Sequence, residues 1–330
     1  MRQSITDRLA LFVNNSQAAT REFRWWTGAS GQCRRLMSLI YTLEDKPLDL
    51  DAVKESHKIV RSNTRWFSKF RGLNSFFLAA KLSLDDNPEQ LFADTLEAYD
   101  RIREARLNNI VNLAVAAFLM ASSTERHNFK NIANRAKKLQ DGMKIRGWVL
   151  TGQDNSIFST MIALTDMIPS VVVERVEQIS EQLRPEFKGL ANASVQALAQ
   201  VLVLGEKSDE ALNCIPKLNK ALRNQGIRLD SELTLPMLGI FSLLSVDDAI
   251  FVSDILAAQD YLRQQRGFRS LPSQELLLLS VAIISSVYVE EMTEKVNASK
   301  AASVVNIIIA QQIVIMIVTI AAIATATPLY

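Results

Sequence analysis

The chain has 330 residues, of which 48% are hydrophobic and 22% charged, with 37 basic and 35 acidic side chains giving a net charge of +2. That composition excludes disordered and fibrous classes and leaves an ordinary globular protein able to bury a sizeable core. Eleven glycines and eight prolines are too few for a sandwich or barrel of many short strands, and two cysteines cannot build a disulfide framework.

In chain order, the N-terminal apolar run Leu9–Val13 is too short for a secretion-signal core, and secretion is not expected. Two early stretches mix cations with aromatic rings: Arg21, Arg24, Trp25 and Trp26, then Arg65-Trp66-Phe67-Ser68-Lys69-Phe70-Arg71. Such mixtures can hold phosphates and stack bases, but a pI of about 8.5 is below that of a dedicated nucleic-acid binder. Helical spacing lets Phe67 and Phe70 face a core instead. The first of these patches remains a candidate interaction surface for protein, lipid or another copy. Residues 1–83 carry a net +7 and residues 231–300 a net −4, an asymmetry compatible with self-association.

Residues 1–300 read as helix after helix. Asp86 or Asn87 before Pro88 and Glu89 reads as an N-cap with proline in the first turn, and Ser208-Asp209-Glu210 opens a later helix in the same way. Leu91, Thr95, Tyr99 and Ile102 are the expected apolar stripe between Leu91 and Arg106. Apolar helices centred near Leu82, Leu119, Leu164, Val203, Leu243 and Ile283 recur every 37 to 45 residues, each followed by a polar loop and a more charged helix. Two of those charged helices end alike, in Leu222-Arg223-Asn224-Gln225-Gly226 and Leu262-Arg263-Gln264-Gln265-Arg266-Gly267, with glycine placed for a left-handed cap. The fold class is therefore all-α. Stacked helical hairpins, α-solenoid-like or a wound multi-helix array, would cover residues 1–300 as one continuous domain.

Residues 301–330 form a separate uncharged tail. As a helix, 304–324 would extend about 31 Å, close to the roughly 30 Å hydrocarbon core of a bilayer. Asn306, Gln311 and Gln312 oppose insertion and suit a helix packed in protein or between subunits, so membrane contact and oligomer contact both stay open.

Reactive constellations are scarce. His57 and His127 are far apart, share no ligand spacing, and His57 lies in a charged helix where a surface position is expected. Cys33 in GQCRR lacks an identifiable base and reads as structural. Gly142–Gly147 lacks the Lys and Ser or Thr of a phosphate loop. No cofactor or metal is expected. The loop carrying Trp148, Thr151, Gln153 and Asp154 interrupts two helical units and is the candidate ligand or partner loop, although glycine turns, a core Trp148 and a capping Asp154 would account for it as well. The resulting expectation is a non-catalytic scaffold or interaction protein. A protein anchored by its C-terminal helix, or an enzyme with an unmarked carboxylate site, are the alternatives.

The motifs Phe23-Arg24-Trp25, Leu39-Ile40-Tyr41-Thr42-Leu43-Glu44, Leu150-Thr151-Gly152-Gln153-Asp154, Val195-Gln196-Ala197-Leu198 and Asn306-Ile307-Ile308-Ile309-Ala310-Gln311-Gln312, in that order, resemble a family. It is an uncharacterised Gram-positive bacterial family, the domain of unknown function numbered 4003. The resemblance spans nearly the whole chain. It implies a bacterial, cytoplasmic protein and brings no activity, cofactor or catalytic residue with it.

Overall fold

The computed structural model describes residues 1–22, 30–65, 68–107, 113–145, 155–205, 208–231, 234–243 and 248–295. These residues contain 14 α-helices and one short 3-10 turn, and no strand is found among them. They gather into two compact units. One comprises Met1–Asn15, Thr42–Lys46 and the described residues from Arg175 onward; the other comprises the described residues of 16–41 and 47–174. The first two helices, α1 (Gln3–Glu22) and α2 (Gly31–Leu43), precede an alternation of charged and apolar helices.

In the second unit the charged helices are α3 (Leu50–Ser62), α5 (Pro88–Glu104) and α7 (Phe129–Ile145), and the apolar ones are α4 (Leu73–Leu82), α6 (Leu113–Ser123) and α8 (Asn155–Leu164). Side chains decide which helix goes inside. Leu113 through Met120 are buried without a break in α6, as are Ser156 through Ala163 in α8, because no face of either carries a charge needing water. The charged helices bury one stripe only. In α7 it is Phe129, Ile132, Ala133, Ala136, Leu139, Gln140 and Met143, a three-to-four residue rhythm. Contacts follow this division. The apolar helices touch in a row, α4 with α6 and α6 with α8, and the charged ones likewise, α3 with α5 and α5 with α7. Cross-contacts of α3 with α4, α5 with α6 and α7 with α8 join the two rows. Phe77 of α4 meets Phe118 of α6 edge-on, with ring centres 5.8 Å apart.

The other unit repeats the division with α10 (Asn192–Val203), α12 (Pro236–Leu243) and α14 (Ser273–Lys295) as apolar helices. Its charged helices are α11 (Ser208–Asn224) and α13 (Asp248–Gln264), while α9 (Pro169–Leu183) leads into it. Here α10 touches α12 and α12 touches α14, while α11 touches α13. A β-carbon at Gly239 of α12 would approach Leu198 and Val201 of α10 to about 3.0 Å, so glycine permits the close spacing of that pair. Leu276 through Val289 of α14 are continuously buried. Its stretch Ser273–Glu291, 19 residues of mean hydropathy 1.3, is long and apolar enough to cross a membrane, and 78% of that window is already buried inside the protein. The expected tail helix at 304–324, with Asn306, Gln311 and Gln312, lies outside the described residues.

Helix ends follow local chemistry. Asn87 caps α5 by accepting a bond from the Gln90 amide at 3.2 Å, with Pro88 in the first turn as expected. Gly226 and Gly267 adopt φ of 77° and 93° after α11 and α13, the left-handed caps that the sequence placed there. After α5 the same role falls to Arg106, at φ 57°, with the Leu107 amide reaching back to the Ile102 carbonyl at 3.3 Å. A side chain in that conformation is strained. Arg106→Gly is therefore expected to stabilise the protein by about 0.5 to 1 kcal/mol after allowing for the added freedom of the unfolded chain. A urea midpoint that falls instead of rising would contradict this.

Two expectations are corrected here. The buried stripe of α5 is Phe92, Thr95, Ala98 and Ile102, whereas Leu91 and Tyr99 are only half-buried. Phe92 takes the inner position with its ring edge-on to Phe70 at 5.8 Å, and Tyr99 meets the same ring at 4.9 Å from its half-buried place. His57 is not on the surface. It is 5% exposed, on the core stripe of α3 with Val53, Ser56 and Val60.

Candidate functional site

Among the sequence-predicted site residues, Arg21 is exposed in the last turn of α1. Arg24, Trp25 and Trp26, the loop residues Trp148, Thr151, Gln153 and Asp154, and the tail residues Asn306, Gln311 and Gln312 all lie outside the described residues. The second cation-aromatic stretch is structural where it is described. Phe70 is buried against Phe92 and Tyr99, and Arg71 wraps the C-terminal end of α3, donating to the carbonyls of Arg61 at 2.7 Å, Arg65 at 3.2 Å and Thr64. A cation on those carbonyls complements the negative end of the helix. Cys33 is buried and Cys214 exposed, and both are free thiols. Among the described residues no three His, Cys, Asp or Glu side chains group closely enough to hold a metal ion.

The site that the structure does form is a groove of 910 Å³ within one unit, between α3 and the α4–α5 connection. Ala52, Glu55, Ser56, Ile59 and Asn63 bring one face of α3 to it, since successive helical turns present side chains three and four residues apart. Pro88, Glu89, Phe92, Ala93 and Leu96 bring the first half of α5. From Ala52 to Asn63 the α3 wall is about 16 Å long at about 1.5 Å per residue. Ser83 closes one end of the groove. Its hydroxyl donates to the Ala80 carbonyl at 3.0 Å and shares a 2.7 Å hydrogen bond with the buried Tyr41 hydroxyl, whose pKa burial raises. The floor is thereby fixed by a hydrogen bond from α2.

Charge on the groove is lopsided. Glu55, Asp85 and Glu89 are exposed on its rim, against the single cation Lys58. Among the described residues none of the three carboxylates lies in a salt bridge. Nearby acids behave differently: Asp94 pairs with Arg126, Glu97 with Arg101 at 3.5 Å, and Asp51 with Lys54 at 3.4 Å. The rim of the groove thus carries three acids outside any salt bridge among the described residues, against one cation.

A second polar cluster, in the other unit, holds the start of α1. Arg8, 7% exposed, forks onto Glu290 with bonds of 2.7 and 3.1 Å and lies 3.1 Å from Asp45. Arg2 reaches Glu291 at 2.5 Å and Asp254 at 3.5 Å, with its guanidinium 3.9 Å above the Tyr288 ring. Tyr288 donates to Asp254 at 3.1 Å, and burial raises its pKa further than the Arg2 charge lowers it. The hydrogen bonds here run to carboxylates of the same cluster, while Arg2 Nε and Nη2 are buried without a hydrogen-bond partner, so the cluster's role is to fasten. Arg8→Ala is expected to lower stability by about 2 kcal/mol, below the range for a fully buried pair because Glu290 and Asp45 are 40% and 67% exposed. Arg8→Met, which keeps the packed stem, should lose less. An Arg8→Met variant as stable as wild type in thermal melts would refute the ionic part of this account, and equal losses in the two variants would refute the packing part.

Sequence inspection missed the groove, although a signal for it existed. Ile59 and Leu96 are apolar residues off the core stripes of α3 and α5, where a solvent-facing helix ordinarily carries polar side chains.

No curated protein and no solved structure matches the chain. The model of the family described as "Protein of unknown function (DUF4003)" matches residues 15–314. The chain belongs to that family.

Proposed function

We propose that this protein is a non-catalytic scaffold that binds a protein partner, and that the α3–α5 groove is where the partner docks. The observation that carries this reading is the groove itself: about three helical turns long, with apolar side chains off the core stripes at Ile59 and Leu96 and a fixed floor. Rows of helices with an inner apolar layer, such as a helical repeat would provide, are rigid supports for such a surface.

An enzyme is less well supported. The groove carboxylates Glu55, Asp85 and Glu89 are open to solvent, whereas catalytic acids are commonly buried enough to displace their titration. The groups whose titration is displaced most, His57 and Tyr288, are part of the core and of the α1 fastening. Membrane association through 304–324 would rest on residues outside the described ones, whereas α14, a described helix long and apolar enough to span, has 78% of its apolar window buried inside the protein. Two free thiols suit the reducing cytoplasm.

Site-specific photo-crosslinking in the native cell tests the reading. A photoreactive amino acid replaces Ala93, exposed in the groove, or Lys130, exposed on α7. A discrete protein adduct from position 93 that is missing from position 130 is the expected result. The same adducts from both positions, or none from 93, would remove the groove from the proposal.

A further inference from the structure

We infer that the groove selects a peptide segment that is both basic and apolar, presenting apolar side chains to Ile59 and Leu96 and lysine or arginine to the rim. This inference rests on the partner-binding reading and adds the chemistry of the partner. Its ground is the net negative charge of the rim around the apolar side chains of Ile59 and Leu96. Asp94, Glu97 and Asp51 are neutralised by Arg126, Arg101 and Lys54. Glu55, Asp85 and Glu89, on the same helices and their connection, have no salt-bridge partner among the described residues and all line the one groove. Three like charges around an apolar floor repel one another and favour an incoming cation. Lys58 offsets only one of them. An acidic partner would meet a net negative rim, and a purely apolar one would leave that rim without counter-charge.

The dimensions agree with a short segment. An α3 wall about 16 Å long accommodates roughly five extended residues at about 3.3 Å each, or three turns of helix. Two cationic side chains flanking an apolar centre would then fall near Asp85 and Glu89 at the α5 end and near Glu55 on α3.

A randomised dodecapeptide library displayed on phage, panned against the full-length protein, supplies the probes. Enriched peptides are synthesised with a fluorescein label and measured by polarisation. The main comparison is the triple variant Glu55→Gln, Asp85→Asn and Glu89→Gln, which preserves shape and the bond that Asp85 accepts from the Asn87 amide. Circular dichroism confirms that its helices are intact. Enriched sequences should carry at least two Lys or Arg around Leu, Ile or Phe. Their affinity should fall tenfold or more in the triple variant, and several-fold between 50 and 300 mM salt. Lys58→Gln should bind equally or more tightly.

Two results would overturn the inference in different ways. Neutral or acidic peptides that bind the wild type and the triple variant alike, yet are lost on Ala93→Trp, would discard the basic partner while keeping the groove as a docking site. Peptides indifferent to Ala93→Trp as well, or no enrichment at all, would discard the groove together with the inference.

Discussion

Replacing Phe251 with alanine should destabilise the protein by about 4 kcal/mol, within the usual range of roughly 3–5 kcal/mol for a fully buried ring. The ring is 2% exposed on α13 and joins its two apolar neighbours. Phe241 of α12 lies 4.2 Å away between centres, and Tyr288 of α14 lies 5.5 Å away. Truncation would remove buried apolar area and both ring pairs, and the cavity would open where three helices converge. Phe251→Leu keeps most of the volume and should lose only about 1 to 1.5 kcal/mol. Urea denaturation followed by circular dichroism measures both. An alanine variant within about 1 kcal/mol of wild type would mean that the ring is not packed as described.

The second large effect depends on pH. Burial, assisted by the positive charges of Arg61 and Arg71, lowers the His57 pKa from about 6.5 to about 4. In the fold the ring stacks on Phe76 at 4.8 Å, and its Nε2 shares a 3.2 Å hydrogen bond with the Ser75 hydroxyl. The neutral imidazole fits this site, and protonation would place a charge in apolar surroundings beside two cations. Because the unfolded chain binds this proton more readily, the contribution is complete above pH 6.5 and disappears as pH falls toward 4. Its size is roughly 3 kcal/mol, from about 1.4 kcal/mol per pKa unit. His57→Gln should flatten the stability profile between those pH values relative to wild type, which separates this residue from the carboxylates that titrate in the same acid range. In a His127→Gln background the remaining imidazole resonance should titrate near pH 4. A midpoint near 6.5 would sink the prediction.

His57 also shows what the sequence made legible and what it concealed. Its neighbours Lys54, Glu55, Lys58 and Arg61 suggest a wetted helix, yet Val53, Ser56, His57 and Val60 recur at core spacing. Periodicity was the better guide than local charge. In α5 the rhythm was right and its phase slightly wrong, because Thr95 and Ile102 fit two stripes, and Phe92 and Tyr99 both meet Phe70 although only Phe92 is buried. Caps were read well at Asn87, Gly226 and Gly267, where the cause is local. The groove joins residues of α3 to a connection and helix some thirty positions later, and Arg8 meets Glu290 from 282 positions away. Neither pairing leaves a short-range trace. Helical spacing shows which face of an element is apolar but not which distant element will cover it.

The fastening of Arg2 and Arg8 to Glu291 and Glu290 also sets a timetable for the newborn chain. The unit holding Met1–Asn15 draws its other described residues from Thr42–Lys46 and from after Glu174, so α1 waits for α14 to leave the ribosome before these pairs can form. At about 5–20 residues per second, the stretch from Arg175 to Glu291 takes on the order of ten seconds to emerge. During that interval Arg2 and Arg8 stand without the α14 carboxylates that later hold them.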